Sequence, residues 1–268
     1  MIFTTLLAQV LRTKRALWIT YSAIGLGFLL LYLAVYPSIQ SQSANYDKIY
    51  ASLPKGLMSA LNITNSTPDL MGYLSSKHFG FIWLLIMALL VIAYSAFVIA
   101  KEIENKTMGF LLSQPISRLK LYVARYIGGI IGLGIFIGFS EVIVWPLAKL
   151  FNYAIDGPGV LWLGLAGLLF GLSIMSLGFM FSAMSSSAGR VSALTGAVLL
   201  IMYAAFIASS LVSSLDGLKY LSLFHYITPG DIVANSSIPL ASVLVFGIFS
   251  LVTAIVGAVS FKRRQIQV

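Results

Sequence analysis

Eight carboxylates and two histidines are all that 268 residues offer for acid–base or metal chemistry, and their spacing serves neither. His78 and His225 stand 147 positions apart, so no His-x-x-x-His pair is available to hold zinc. An intramembrane hydrolase would need paired aspartates inside apolar stretches, yet Asp216 and Asp231 fall in a polar connection. Cysteine is absent, which excludes disulfides, thiolate metal sites and cysteine nucleophiles. No G-x-x-x-x-G-K-[ST] phosphate loop occurs either. The expectation is a chain with no catalytic residues and no metal site. Two features remain. Glu141 is the one carboxylate far inside an apolar run. A polar island, "ENKTMGFLLSQPISRLKLYVARY" at 104–126, separates two such runs, with Glu102 just ahead of it.

The elements that carry these residues follow from composition. Only 9% of the chain is charged, 59% is hydrophobic, and the mean hydropathy is +0.96. Soluble domains carry about 25% charged residues, so this is a membrane protein. A spanning helix needs about 20 apolar residues at about 1.5 Å each. Six stretches qualify: 16–36, 79–100, 122–147, 160–183, 191–215 and 239–261. The fold class expected is an all-α integral membrane protein, with residues 1–268 forming one six-helix transmembrane domain. Residues 1–15 read as an interfacial helix, because Phe3, Leu6, Leu7, Val10 and Leu11 recur at helical spacing beside a basic end. No cleavage pattern ends the first apolar run, so the first span is expected to stay in the mature protein.

Alternate connections divide the cations unequally. Both ends, residues 101–125 and Arg190 hold 12 of the 17 lysines and arginines, including all seven arginines. The positive-inside bias therefore predicts both termini and the island in the cytoplasm of a cell-membrane protein. The formal charge of +9 belongs to this bias rather than to nucleic acid. Residues 37–78 become a long outer loop. Within it "TPDLMGYL" starts like a helix, with Thr67 as cap, Pro68 at the first position and Asp69 against the dipole. Short outer amphipathic helices are expected here, with "PKGLMSALN" a second candidate. The last outer connection, "YLSLFHYITP", is aromatic enough to lie at, or dip into, the interface; His225 either lines a pathway or is a satisfied interfacial histidine, the reading preferred for it and for His78.

Inside the spans, Gly128 and Gly132, Gly134 and Gly138, and Gly167 and Gly171 each lie four apart, the spacing that lets helices approach closely. The first two pairs point to different faces, and contacts within the bundle or between subunits both satisfy the pattern. Glu141 should face the bundle interior or water. It either lines a pathway or gate, or hydrogen-bonds a neighbouring helix. The cytoplasmic region of residues 101–121, which overlaps the island, should form a short helix leaving span two and break near Pro115, which lacks an N–H and disfavours helical geometry at Gln114. Its leucines then form either a docking surface or a patch resting on the inner leaflet.

The run Glu102, Glu104, Thr107, Leu111, Leu112, Ser113, Pro115, Ser117 and Arg118, followed by a basic span start, resembles the signature of ABC-2-type ABC transporter permeases. The resemblance extends to the amphipathic N-terminal helix, the six spans, the outer "YLSLFHYITP" segment and the basic tail. Lys106 and Gly109 depart from it, because the family often has Gly before the threonine and an acidic or aliphatic residue two places after it. It implies an ATP-driven transporter, usually an exporter, of two permease subunits and two ATP-binding subunits. This chain would carry no cofactor, with ATP and magnesium on the partner. Glu102 and Glu104 would pair with basic groups of the ATPase, Phe110, Leu111 and Leu112 would fill its surface groove, and Pro115 would set the angle. Cargo by this resemblance spans drugs, antimicrobial peptides and lipids, and a greasy interior with one carboxylate favours an amphipathic one. A stand-alone carrier or channel is the competing reading. The absence of a visible repeat and of paired intramembrane charges speaks against it.

Overall fold

Among the described residues of the computed structural model (2–42, 52, 70–113, 116–153 and 157–265), every regular element is helical, and six helices are long and apolar enough to cross a membrane. They are α2 (Arg15–Ser41), α3 (Leu70–Glu104), α5 with α6 (Arg118–Val142 and Val144–Leu150), α7 (Gly157–Met184), α8 (Ala188–Leu211) and α10 (Leu240–Arg263). Shorter pieces are α1 (Ile2–Thr13), α4 (Met108–Leu112) and α9 (Pro229–Asn235). The expected class and number of spans hold, although most helices outrun the predicted apolar limits.

The breaks have local causes. Pro146 cannot donate to Val142 and its ring crowds that carbonyl, and the long third helix is interrupted at Ile143. α8 stops at Leu211, short of the expected 215, where Val212 is extended and "SSLDG" follows in a 3-10 turn, Ser213–Leu221. Ser, Asp and Gly are poor helix formers because they compete for, or loosen, the backbone. Pro229 occupies the first turn of α9 with Asp231 beside it, as dipole and φ constraints favour. The predicted cap at Thr67–Asp69 and the "PKGLMSALN" segment lie outside the described residues. From Leu70 onward the chain runs straight into the span as part of α3, rather than forming a separate outer helix. Two π-helical turns, His78–Ile82 and Ala96–Ala100, widen α3 near its ends.

α3 and α7 form the centre. In their most apolar windows 72% and 67% of residues are buried, against 22%, 17% and 28% for α2, α8 and α10. Outward faces such as Leu200 and Ile201 of α8 and Leu251 of α10 are left to lipid or a partner. Ser95 on α3 donates to Val91 O at 2.7 Å and to Met175 O of α7 at 3.3 Å, and Ser173 of α7 meets Ser250 of α10 at 3.1 Å. His78 is a correction: it is buried between Tyr32 and Phe79, and its Nδ1 has no hydrogen-bond partner among the described residues.

The glycines mark where large groups enter. Gly132 receives the Trp18 indole, Gly167 the Trp83 indole, and Gly171 the ends of Leu133 and Met87. Gly128 receives Val10 of α1, so part of the apolar stripe expected to face lipid instead covers α5, with Leu6 and Val10 buried. Gly134 and Gly138 have nothing within 4 Å of a would-be Cβ. Backbone-to-backbone approach occurs elsewhere, at Gly159 beside Val233 O and at Gly257 beside Met180 Cα. Gly132→Ala should therefore lower stability by about 1–3 kcal/mol, the usual cost of overpacking, whereas Gly134→Ala should not. Thermal unfolding of both variants in one detergent checks this; equal midpoints would contradict the packing.

Candidate functional site

The last turn of α3 is closed by a specific C-terminal motif. Lys106 takes a left-handed φ of 60°, its N–H donates to Ile103 O at 3.0 Å, and the Thr107 N–H donates to Glu102 O at 3.0 Å. This is the Schellman pattern, which favours glycine at the left-handed position. Lys106 stands where the resembling permeases often have that glycine. The Thr107 hydroxyl then donates to Glu102 O at 3.1 Å and also to the Glu102 carboxylate. Glu102 and Thr107 thus form a clasp that ends α3 and aims the chain into α4.

Glu104 reaches further. Its Oε1 accepts from Lys101 at 2.9 Å, and its Oε2 accepts from the Ala188 N–H at 2.8 Å. Ala188 opens α8, and no side chain of the preceding Ser187 caps that end. Glu104 supplies the missing cap from another helix, where a carboxylate also suits the dipole. α3 and α8 are therefore joined at this end of the bundle.

Across the same end, Arg264 donates to Ala183 O at 3.0 Å and to Ser185 O at 2.7 Å, meeting free carbonyls at the close of α7. The guanidinium of Arg118, at the start of α5, donates to Arg264 O. Ser117 caps α5 by accepting from the Lys120 N–H at 3.3 Å. The sequence reading missed Arg264 as a structural residue. Its signal was a cation just past an apolar span, where the carbonyls of helix ends collect.

The island residues divide by role. Met108 anchors α4 in the core, Leu111 is half-buried, and Phe110 is 74% exposed. Leu112 lies in α4, and its side chain is outside the described residues, as is Pro115 altogether. The helix does end at Leu112 and resume at Arg118 on either side of it. Glu102, Glu104, Thr107, Phe110, Leu111 and Arg118 are thus brought to one end of the bundle.

Glu141 is not among them. It lies 16 residues beyond Arg125, about 24 Å along α5 at 1.5 Å per residue. Its carboxylate fits against Gly164 of α7, where a Cβ would collide with both oxygens, and its buried Oε1 has no hydrogen-bond partner among the described residues.

The family model described as ABC-2 family transporter protein matches residues 8–266. No curated protein matches the chain.

Removing the Glu104 cap should loosen the start of α8. Glu104→Ala should lower protection there, while Glu104→Gln, which keeps an accepting oxygen, should lower it less. Hydrogen exchange at the first amides of α8 reads this directly; unchanged protection in Glu104→Ala would remove the cap from the account.

Proposed function

Because the chain belongs to the ABC-2 family of transporter proteins, whose membrane subunits work with separate ABC ATPase subunits and carry no nucleotide-binding domain or cofactor of their own, we propose that it is the permease of an exporter driven by an ATPase docked on α4. The chain itself is not an ATPase. The observation that carries the reading is Phe110: a large aromatic side chain, 74% exposed, on a five-residue helix whose preceding turn is held by the Glu102–Thr107 clasp. An exposed aromatic presented on such a helix suits a hot spot that fills a partner's pocket.

On this reading Phe110, Leu111 and Leu112 fill the ATPase groove, with Pro115 and Arg118 fixing the exit toward α5. Glu102 and Glu104 face basic groups of the ATPase with what their internal bonds leave free. Those bonds give them a second role. The Glu102–Thr107 clasp passes movement of α4 to α3, and the Glu104–Ala188 bond passes it to α8. The arginine distribution supports a cytoplasmic location for this end and both termini. Two copies, or this chain and a second permease, complete the assembly, and the unfilled Gly134 and Gly138 face of α5 is available for such a contact.

An amphipathic, lipid-like cargo suits the membrane-level surface. A groove of about 370 Å³ runs between α3 and α8, lined by Phe81, Leu85, Leu89, Leu200, Tyr203 and Phe224 among others. Glu141 serves the pathway or its gate, since a buried carboxylate oxygen without a hydrogen-bond partner among the described residues is a feature that packing alone disfavours.

Two experiments test this. Phe110→Asp should reduce co-purification of the ATPase by about tenfold or more, the scale of a lost hot spot. Its thermal midpoint should stay unchanged because the residue is exposed; undiminished co-purification would move the docking site elsewhere. Glu141→Gln should alter the transport rate at constant expression and assembly, and an unaltered rate would assign the residue to packing.

A further inference from the structure

We propose that the pocket enclosed by α1, the foot of α3, α4 and the start of α5 binds a phosphate-bearing anion, held by Arg125 and Lys14. The pocket has a volume of about 250 Å³. Its polar lining includes Gln9, Lys14, Glu102 and Arg125, and Leu6, Val10 and Leu121 contribute apolar wall.

Arg125 is the centre of the argument. It is only 5% exposed, one Nη donates to Val98 O, and its Nε is buried with no hydrogen-bond partner among the described residues. No carboxylate lies within 4.0 Å of it there, and none within that distance of Lys14. Burial lowers the Lys14 pKa from its ordinary value, and Glu102 and Arg125 act on it in opposite directions. Glu102 is the sole carboxylate of the lining, and one of its oxygens is already taken by the Thr107 hydroxyl. The lining therefore holds two cations against one anion, in a place where desolvated charge is costly unless matched.

The missing counter-charge has a recognisable chemistry. A planar guanidinium beside a flexible ammonium is the pair that binds phosphate oxygens, one by a fork of N–H groups and the other as a point charge. The Gln9 amide adds a donor. The apolar wall suits the glycerol and first methylenes of a phospholipid, and the pocket lies at an end of the spans, where headgroups lie. A headgroup phosphate is thus the natural occupant, and free phosphate shares its chemistry. Bound there, the anion would tie α1 to the α3–α4 corner, so the lipid would set how firmly the proposed coupling element is held. The site itself rests only on the contacts above and stands whether or not α4 docks an ATPase.

The test uses the full chain in nanodiscs of phosphatidylcholine with and without phosphatidylglycerol, and native mass spectrometry to count retained lipid. Retention of phosphatidylglycerol over phosphatidylcholine is expected. Lys14→Gln should weaken it about tenfold, the scale of one charge-assisted bond. Glu102→Gln should strengthen it, and Lys219→Gln, in a distant connection, should leave it unchanged. Competition by millimolar inorganic phosphate would assign the site to the phosphate group itself; retention without competition would assign it to the whole lipid. Equal retention in wild type and Lys14→Gln, or equal retention of the two lipids, would overturn the proposal. Arg125→Gln is the stronger variant, but Lys14, at the open joint between α1 and α2, carries the test even if Arg125→Gln fails to fold.

Discussion

Every helix leaves backbone N–H and C=O groups without intrahelical partners at its ends, and within hydrocarbon no water is available to meet an irregular turn, so side chains of the chain itself do so. This one constraint accounts for most of the polar contacts that matter here. The Ala100 N–H, in the second π turn of α3, donates to Ser182 Oγ of α7 at 3.0 Å. The Ala188 N–H finds Glu104, the Ala183 and Ser185 carbonyls find Arg264, and the close of α3 satisfies itself through Lys106 and Thr107. Each bond answers a local debt of the backbone, and nearly all of them cross from one helix to another. Satisfying the backbone is what connects the helices mechanically.

Packing in the centre obeys a second rule, complementarity of large and absent side chains. Trp18 and Trp83 lie over Gly132 and Gly167, and the Glu141 carboxylate lies over Gly164. Lipid tails are as apolar as leucine, so no hydrophobic force drives helices together within the bilayer; close contact area must do it. An indole seated on a glycine provides a large contact at a short distance. Tyr94 adds a polar tie to the same region, donating to Arg125 O at 2.6 Å while its ring lies 5.0 Å from that of Trp18. α3, α5 and α7 share these contacts, and α2, α8 and α10 keep open faces.

How much of this the sequence discloses follows from which forces are local. Six apolar runs are local and were legible, and so is the end of α4 at Leu112 ahead of the restart at Arg118. The resemblance of the chain as a whole is matched by the family assignment over residues 8–266. Helix ends were less legible, because α3 continues through polar residues to Glu104 where tertiary bonds hold it. The glycine spacing found real packing sites at 128, 132, 167 and 171, yet the backbone approaches at Gly159 and Gly257 have no spacing that marks them. Glu104 as the cap of a helix 84 positions away could not be read at all. Nor could the cationic pocket, because Lys14 and Arg125 are 111 residues apart and only the fold brings them to one wall.

The shape of α3 ties these strands together. Its 35 residues extend about 52 Å at 1.5 Å each, well beyond the roughly 30 Å of hydrocarbon. A helix that long must tilt or protrude, and its last turn, Lys101–Glu104, continues past the apolar stretch to meet α4 and α8. Between its two π turns the segment Trp83–Ser95 is apolar, with most of its residues buried in the bundle and Leu85 and Leu89 left on the open side that borders the groove. π turns carry a surplus residue and are places where a helix changes its winding. On the proposed reading, a displacement applied at α4 enters a helix packed in its middle, with a π turn near each end where its winding can change. The same helix borders the apolar groove shared with α8, whose first N–H is held by Glu104. On the proposed reading, force and cargo meet along α3 and α8, and the short bonds at their feet decide how the two move together.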